Sequence, residues 1–168
     1  MIFNGTSQRM DVGASTTNVI SSGTATRSYH GWMVGNGTIF GSNASAAGQS
    51  HIYVTLNGTT LTFNPTYYGG SAGDGPDSFT VSPHASGINF ISLVKTASAT
   101  LWDLYFNGAV VATGLVRAST ASSSQALGSP YSGAFLPLTV AMYWTNQQAQ
   151  NSAGVLSDYN ATKARYGH

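Results

Sequence analysis

The stretch His51-Ile52-Tyr53-Val54-Thr55-Leu56-Asn57-Gly58-Thr59-Thr60-Leu61-Thr62-Phe63 decides the fold. Two runs rich in β-branched and aromatic residues alternate apolar with polar, and Asn57-Gly58 stands between them. Asn-Gly is the dipeptide best able to hold both central residues of a two-residue turn at positive φ, so the stretch predicts an antiparallel hairpin. The same logic applies to Thr100–Phe106, Asn107-Gly108 and Ala109–Thr113. Asn36-Gly37, between Gly31–Val34 and Thr38–Phe40, predicts a third hairpin.

Working outward, Ser78–Ser82, Ile88–Lys95 and Leu136–Trp144 read as further strands, the last two strongly apolar. About ten short strands at regular spacing predict an all-β, two-sheet antiparallel sandwich of jelly-roll type. Phe90, Leu93, Trp102, Leu104, Val140 and Met142 are the expected core. The Ser-rich segment from Ala118 to Gly128 reads as an exposed loop or a plain edge strand.

The pattern changes after Trp144. Thr145-Asn146-Gln147-Gln148 fits a capping box, in which the Thr hydroxyl and the Gln148 amide satisfy each other's orphan N–H groups. Ala149, Ala153, Leu156, Asn160 and Lys163 then fall on one helical stripe, with Val155 and Tyr159 beside it. Lys163 and Arg165 suit the negative end of the helix dipole, and Gly167 can cap it. One C-terminal α-helix is expected over about 146–165.

Composition bounds the function. The chain has 168 residues, no cysteine and no glutamate, and six Lys and Arg against five Asp give a formal net charge of +1. That length suits a single domain over 1–168 with a real core. So few scattered cations cannot neutralise a row of phosphates, which excludes a nucleic-acid binder driven by charge. No apolar run approaches membrane-spanning length, and no leader segment is visible at Met1-Ile2-Phe3-Asn4. The surface must be wetted by hydroxyls and amides, and weak colloidal repulsion favours association with copies of itself or with a larger assembly. Five Asn-X-Ser/Thr sequons, at Asn4, Asn36, Asn43, Asn57 and Asn160, read as turn chemistry.

Phe3-Asn4-Gly5-Thr6-Ser7-Gln8-Arg9-Met10-Asp11-Val12 resembles the opening strand pair of laminin G-like, concanavalin A-like domains. Ser28–Val34 is similar to their next core strand with its inward Trp. Leu104–Ala112 resembles their recurrent Asn-Gly hairpin, and Leu156–Gly167 their terminal helix ending in Tyr-Gly. The order and spacing of these pieces resemble the small stand-alone jelly rolls found in phage virion proteins. What the resemblance implies is a two-sheet jelly roll with binding on a concave face or at loop tips. It does not fix function, because relatives include glycan binders, glycosidases, spacers and particle decorations.

Candidate sites divide on chemistry. Glycoside hydrolysis needs two flanking carboxyl groups, and the catalytic relatives carry paired Glu on a strand. This chain has none, and Asp103 is a lone strand Asp expected to face solvent. No nucleophile elbow appears, so no enzyme activity is expected. His30, His51 and His84 are too dispersed for zinc, and His30 and His51 read as exposed or hydrogen-bonded strand residues. His168 reads as a loose terminal residue.

The loop Gly69–Ser78 holds Asp74 and Asp77 among glycines and hydroxyls, a composition able to supply oxygens to calcium, though also an ordinary turn. Tyr67 and Tyr68 beside it can stack on a sugar ring or a partner surface; alternatively, one of them packs inward. Trp32, Trp102 and Trp144 lie in apolar strands and read as core or sheet-face residues. The leading expectation is a non-enzymatic, multicopy virion-surface protein, a capsid decoration or fibre-associated jelly roll docked on a capsid or tail scaffold protein. The alternative is an extracellular, lectin-like module that reads a cell-surface glycan through Tyr67, Tyr68, Asp74 and Asp77.

Overall fold

The computed structural model describes residues 2–4, 10–11, 27–34, 37–43, 50–67, 76–96, 101–116, 124–127, 137–146 and 148–168. Twelve strands run in chain order as β1 (Ile2–Asn4), β2 (Met10–Asp11), β3 (Arg27–Val34), β4 (Gly37–Asn43), β5 (Ser50–Asn57) and β6 (Thr60–Tyr67), then β7 (Asp77–Thr80), β8 (Ile88–Lys95), β9 (Leu101–Phe106), β10 (Ala109–Val116), β11 (Ser124–Leu127) and β12 (Pro137–Asn146). They form two six-stranded sheets, ordered β1-β12-β3-β8-β9-β10 and β2-β11-β4-β5-β6-β7, and every pairing is antiparallel. The expected all-β sandwich is what the chain forms.

Alternation along the strands sets the layers. Tyr29, Met33, Ile91, Leu93, Trp102, Leu104 and Phe106 of the first sheet meet Val54, Leu56, Leu61 and Phe63 of the second. The opposite face of the first sheet carries a second core of Trp32, Phe90, Val94 and Tyr105, closed by Val155 of the C-terminal helix α1 (Ser152–Thr162). β8 is therefore covered on both faces, which is why Ile88–Lys95 reads as an almost unbroken apolar run. Of the expected core residues, Phe90, Leu93, Trp102, Leu104 and Val140 are buried, and Met142 packs part-buried against the second core.

Turn chemistry holds at one hairpin and shifts at another. Asn107 and Gly108 have φ of 49° and 80°, the expected pair of left-handed residues, and Ala109 faces Phe106. In the first hairpin Asn57 instead pairs with Thr60, so the central residues are Gly58 and Thr59, with only Gly58 at positive φ. That register sets Leu56 against Leu61 and Val54 against Phe63, joining the buried residues of both strands. The expected turn would have left Leu56 opposite Thr59.

The third expected hairpin does not form. β3 lies between β12 and β8 in one sheet, while β4 lies between β11 and β5 in the other. Both edges of β3 are taken, so the chain around Asn36-Gly37 changes sheets; Gly35 and Asn36 lie outside the described residues. The same holds at the N-terminus, where β1 pairs β12 and β2 pairs β11. The part of Ala118–Gly128 that is described, β11, is no edge, because β2 and β4 flank it.

The helix begins six residues later than expected. Thr145 and Asn146 stay in the ladder opposite Tyr29 and Ser28, which removes them as cap residues. Asn151 caps instead, accepting from the Gly154 amide at 2.9 Å. A 3-10 turn over Lys163–Tyr166 extends the helix and ends on Gly167 at φ 77°. The expected stripe is also displaced, since Leu156 is exposed while Val155, Tyr159 and Tyr166 face the sheet.

Gly108 sits beneath this helix, and a Cβ there would lie 2.7 and 2.9 Å from Tyr159 ring carbons. Gly108→Ala is expected to cost about 1–3 kcal/mol, combining left-handed strain with a displaced ring. A urea titration measures it, and an unchanged midpoint would show that the ring moves aside freely.

Candidate functional site

A concavity opens where the two sheets separate. β7 and β10 are the last strands of their sheets on one side of the sandwich, and among the described residues neither has a further neighbour. Between them runs an open groove of about 610 Å³, lined by residues 78–82 on one wall and Phe106, Asn107 and residues 109–111 on the other. None of these lining residues is charged. Alternation along β7 explains the mixture: Phe79 pairs with buried Leu61 and packs on the central core, while Ser78 and Thr80 point outward beside Thr62 and Thr60. Val110, 51% exposed on β10, gives the opposite wall an aliphatic surface. Hydroxyls and an amide around a small apolar floor suit a ligand with both hydroxyls and C–H faces.

Asn107 ties the groove to the sheet. Its Oδ1 accepts from the Phe90 amide at 2.8 Å and its Nδ2 donates to Asn89 Oδ1 at 3.1 Å. The turn wall is thus held by part-buried hydrogen bonds. A smaller, mostly apolar hollow of about 420 Å³ lies between the β5–β6 tip and Pro83 and Gly87.

The residues expected to form a site are only partly placed. Tyr67 ends β6 opposite Ser50, and Asp77 opens β7 opposite Phe63. Phe63 lies four residues from Tyr67, about 13 Å along a strand, so the ladder does not bring Tyr67 and Asp77 together. Tyr68 and Asp74 lie outside the described residues. The loop does lead directly into the β7 wall of the groove. Among the described residues, no three His or Asp side chains gather as a metal site.

Asp103, expected to face solvent, is part-buried and uses Oδ1 to accept from the Gly114 amide at 2.8 Å, holding an irregular stretch of β10. His30 is fully buried on the helix side of the first sheet. Its Nδ1 meets Ser92 Oγ at 2.7 Å, and its ring stacks on Trp144 with centroids 5.1 Å apart. Burial lowers its pKa to about 4, against smaller raising effects from Asp158 and Gln150.

His168 is not loose. Its ring stacks on His84 at 3.8 Å, stands edge-on to Trp32, and Nε2 donates to the Ile88 carbonyl at 2.7 Å. Aromatic neighbours on both sides hold it. Trp32 and Trp102 are core and Trp144 is part-buried on the sheet face, as expected.

These features define a two-sheet β-sandwich of jelly-roll type with a helix closing one face and an uncharged groove at an open edge. No protein-family model matches the chain, and comparison with curated proteins gives no match. Solved structures do share its fold. It is similar to the Ruminococcus gnavus IT-sialidase CBM40 bound to α2,3-sialyllactose, at 11% identity and TM-score 0.60, covering 83% of this chain and 84% of that one. It is similar to NanB sialidase from Streptococcus pneumoniae (the K499G mutant) at 12% identity and TM-score 0.69, covering 94% of this chain and 27% of that one. The receptor-binding domain of botulinum neurotoxin D gives 10% identity and TM-score 0.62, covering 96% of this chain and 43% of that one. The chain thus spans about a quarter to under a half of the last two. At these identities the likeness is one of fold.

Proposed function

We propose that this chain is a non-catalytic glycan-binding module whose ligand enters the groove between β7 and β10. The carrying observation is the groove: an uncharged, hydroxyl- and amide-lined cleft with an apolar floor, wide enough for a sugar ring. Sugars present hydroxyls at their edges and C–H groups on their faces, and such a cleft meets both. The fold supports the reading, since similar sandwiches include a carbohydrate-binding module bound to sialyllactose. The module binds without cleaving: the sequence has no glutamate, and Asp103 is occupied in holding β10. An extracellular or cell-surface setting follows from such a ligand.

The test is isothermal titration against a panel of oligosaccharides found to bind on an array. Val110→Asp is expected to weaken binding at least about tenfold, because a carboxylate in the groove must be desolvated by the ligand. Chelation with EDTA is expected to leave affinity unchanged, since the groove itself offers no carboxylates to a cation. Full affinity in Val110→Asp would remove the groove from the reading, and loss of binding in EDTA would return the site to the Asp74/Asp77 loop.

A further inference from the structure

The register of the second sheet aligns a pattern that is not visible in the sequence. Thr55 pairs with Thr62 and Thr62 with Ser78, placing three hydroxyl residues in one row across β5, β6 and β7. A second row runs from Asn57 through Thr60 to Thr80. Leu56, Leu61 and Phe63 point into the core, so their neighbours Thr55, Thr60 and Thr62 lie on the outer face of the sheet. Thr60, Ser78, Thr80 and Asn57 are exposed, and Thr62 Oγ1 lies 3.1 Å from Ser78 Oγ. Both rows end on residues that line the groove.

The described part of this surface carries no cation. The described strands of the second sheet contain no Lys or Arg. Their carboxylates are Asp11, paired with Ala126 at the far edge, and Asp77, on the same row as inward-facing Phe63. The described cations Arg27 and Lys95 belong to the first sheet, and Lys163 and Arg165 to the C-terminal 3-10 turn.

We propose that the ligand is an uncharged, extended polysaccharide chain, seated in the groove and continuing across the outer face of the second sheet along the two hydroxyl rows. This rests on the glycan reading above. An acidic sugar exchanges water for protein donors, and without a cation its carboxylate or sulfate is left poorly paired. Neutral hydroxyls pair with Thr, Ser and Asn at no such cost. Each exposed hydrogen bond contributes little, so affinity must come from many of them. The row from Thr55 to Ser78 crosses two strand spacings, about 10 Å, which exceeds the width of one sugar ring. A protein partner is disfavoured because these rows carry none of the aromatic or Arg anchors on which such interfaces depend.

The experiment titrates the whole chain with neutral cello-, malto- and manno-oligosaccharides of increasing length, and with 3′-sialyllactose and heparin oligosaccharides, at low and high salt. Affinity for one neutral series is expected to rise about tenfold or more from disaccharide to hexasaccharide, without salt dependence. Thr55→Val with Thr62→Val removes two hydroxyls while keeping β-branched side chains, so the thermal midpoint should hold. The double variant should bind the hexasaccharide about as weakly as the disaccharide. Tighter, salt-sensitive binding of the acidic probes overturns the neutral ligand but keeps the glycan reading. A flat length series, or a double variant of full affinity, overturns the extended footprint. No binding by any probe overturns the glycan reading itself.

Discussion

Trp32→Ala is expected to cost about 3–5 kcal/mol, the range for removing a large aromatic from a packed core. Trp32 is fully buried, yet it lies outside the space between the sheets. Its ring stacks on Tyr166 at 4.6 Å and Tyr159 at 5.7 Å, tilts against Phe90 at 5.3 Å, and meets His168 edge-on at 4.9 Å. Its Nε1 donates to Thr162 Oγ1 at 2.8 Å, and that hydroxyl in turn donates to the Asp158 carbonyl. One strand residue thus gathers α1 and its 3-10 extension onto the first sheet. Val155 is the single fully buried residue of α1, so the helix has little else to hold it. The loss should appear in a urea titration, and hydrogen exchange should show the amides of residues 155–166 losing protection first. Trp32→Phe keeps ring contacts and forfeits the Nε1 bond, so it should cost about 1–2 kcal/mol. Helix amides that stay protected in Trp32→Ala would show that Val155 and the hairpin beneath suffice.

How far the sequence reveals this fold depends on what each signal encodes. Asn107-Gly108 states its own backbone geometry, and the structure repeats it. Asn57-Gly58 states a turn but not its register, which is set by pairing Val54 and Leu56 with Phe63 and Leu61 across the hairpin. Asn36-Gly37 carries the same dipeptide, yet β3 and β4 part company there. Whether two strands pair depends on which edges remain vacant, and no local pattern records that. The helix start at Ser152 has a similar reason. Thr145 has the chemistry of a cap, but the ladder with β3 extends to Asn146 and outcompetes it.

The candidate site was less legible. Its hydroxyl residues are ordinary strand threonines and serines in the sequence, and only register across β5 to β7 collects them into rows. The groove likewise arises from strand order, which puts β7 and β10 on the same side of the sandwich. What composition did convey was the scarcity of charge, and the described strands of the second sheet carry no Lys or Arg. Tyr67 and Asp77 have suitable chemistry as individual residues, but the β6–β7 register sets Asp77 opposite Phe63, four residues from Tyr67.

Lowering the pH from 7 to 5 is expected to destabilise the protein by about 2 kcal/mol through His30 alone. The imidazole lies between Trp144 and Phe90, with Ser92 Oγ on Nδ1 and Asn146 Nδ2 at 3.4 Å from Nε2. A ring that accepts at one nitrogen and is sealed from water is held neutral, and burial brings its pKa to about 4 from 6.5. The unfolded chain protonates this histidine near pH 6.5 while the folded chain does not. Between those values the unfolded state binds more protons, so stability is full above pH 6.5 and falls until about pH 4, where the loss reaches about 3 kcal/mol. Asp158 and Gln150 moderate the effect, since both favour the charged ring, and Gln150 Nε2 donates to Asp158 at 2.9 Å. Gln150 Oε1, buried and otherwise unbonded, is an acceptor toward which the charged ring's N–H can turn. Urea midpoints across pH 5 to 7.5 measure the slope for the native chain and for His30→Gln, which keeps a polar group toward Ser92 without a titrating ring. The variant should be less stable at pH 7.5 and nearly flat toward pH 5, so the two curves converge as the pH falls. Parallel curves would assign the acid sensitivity to other groups.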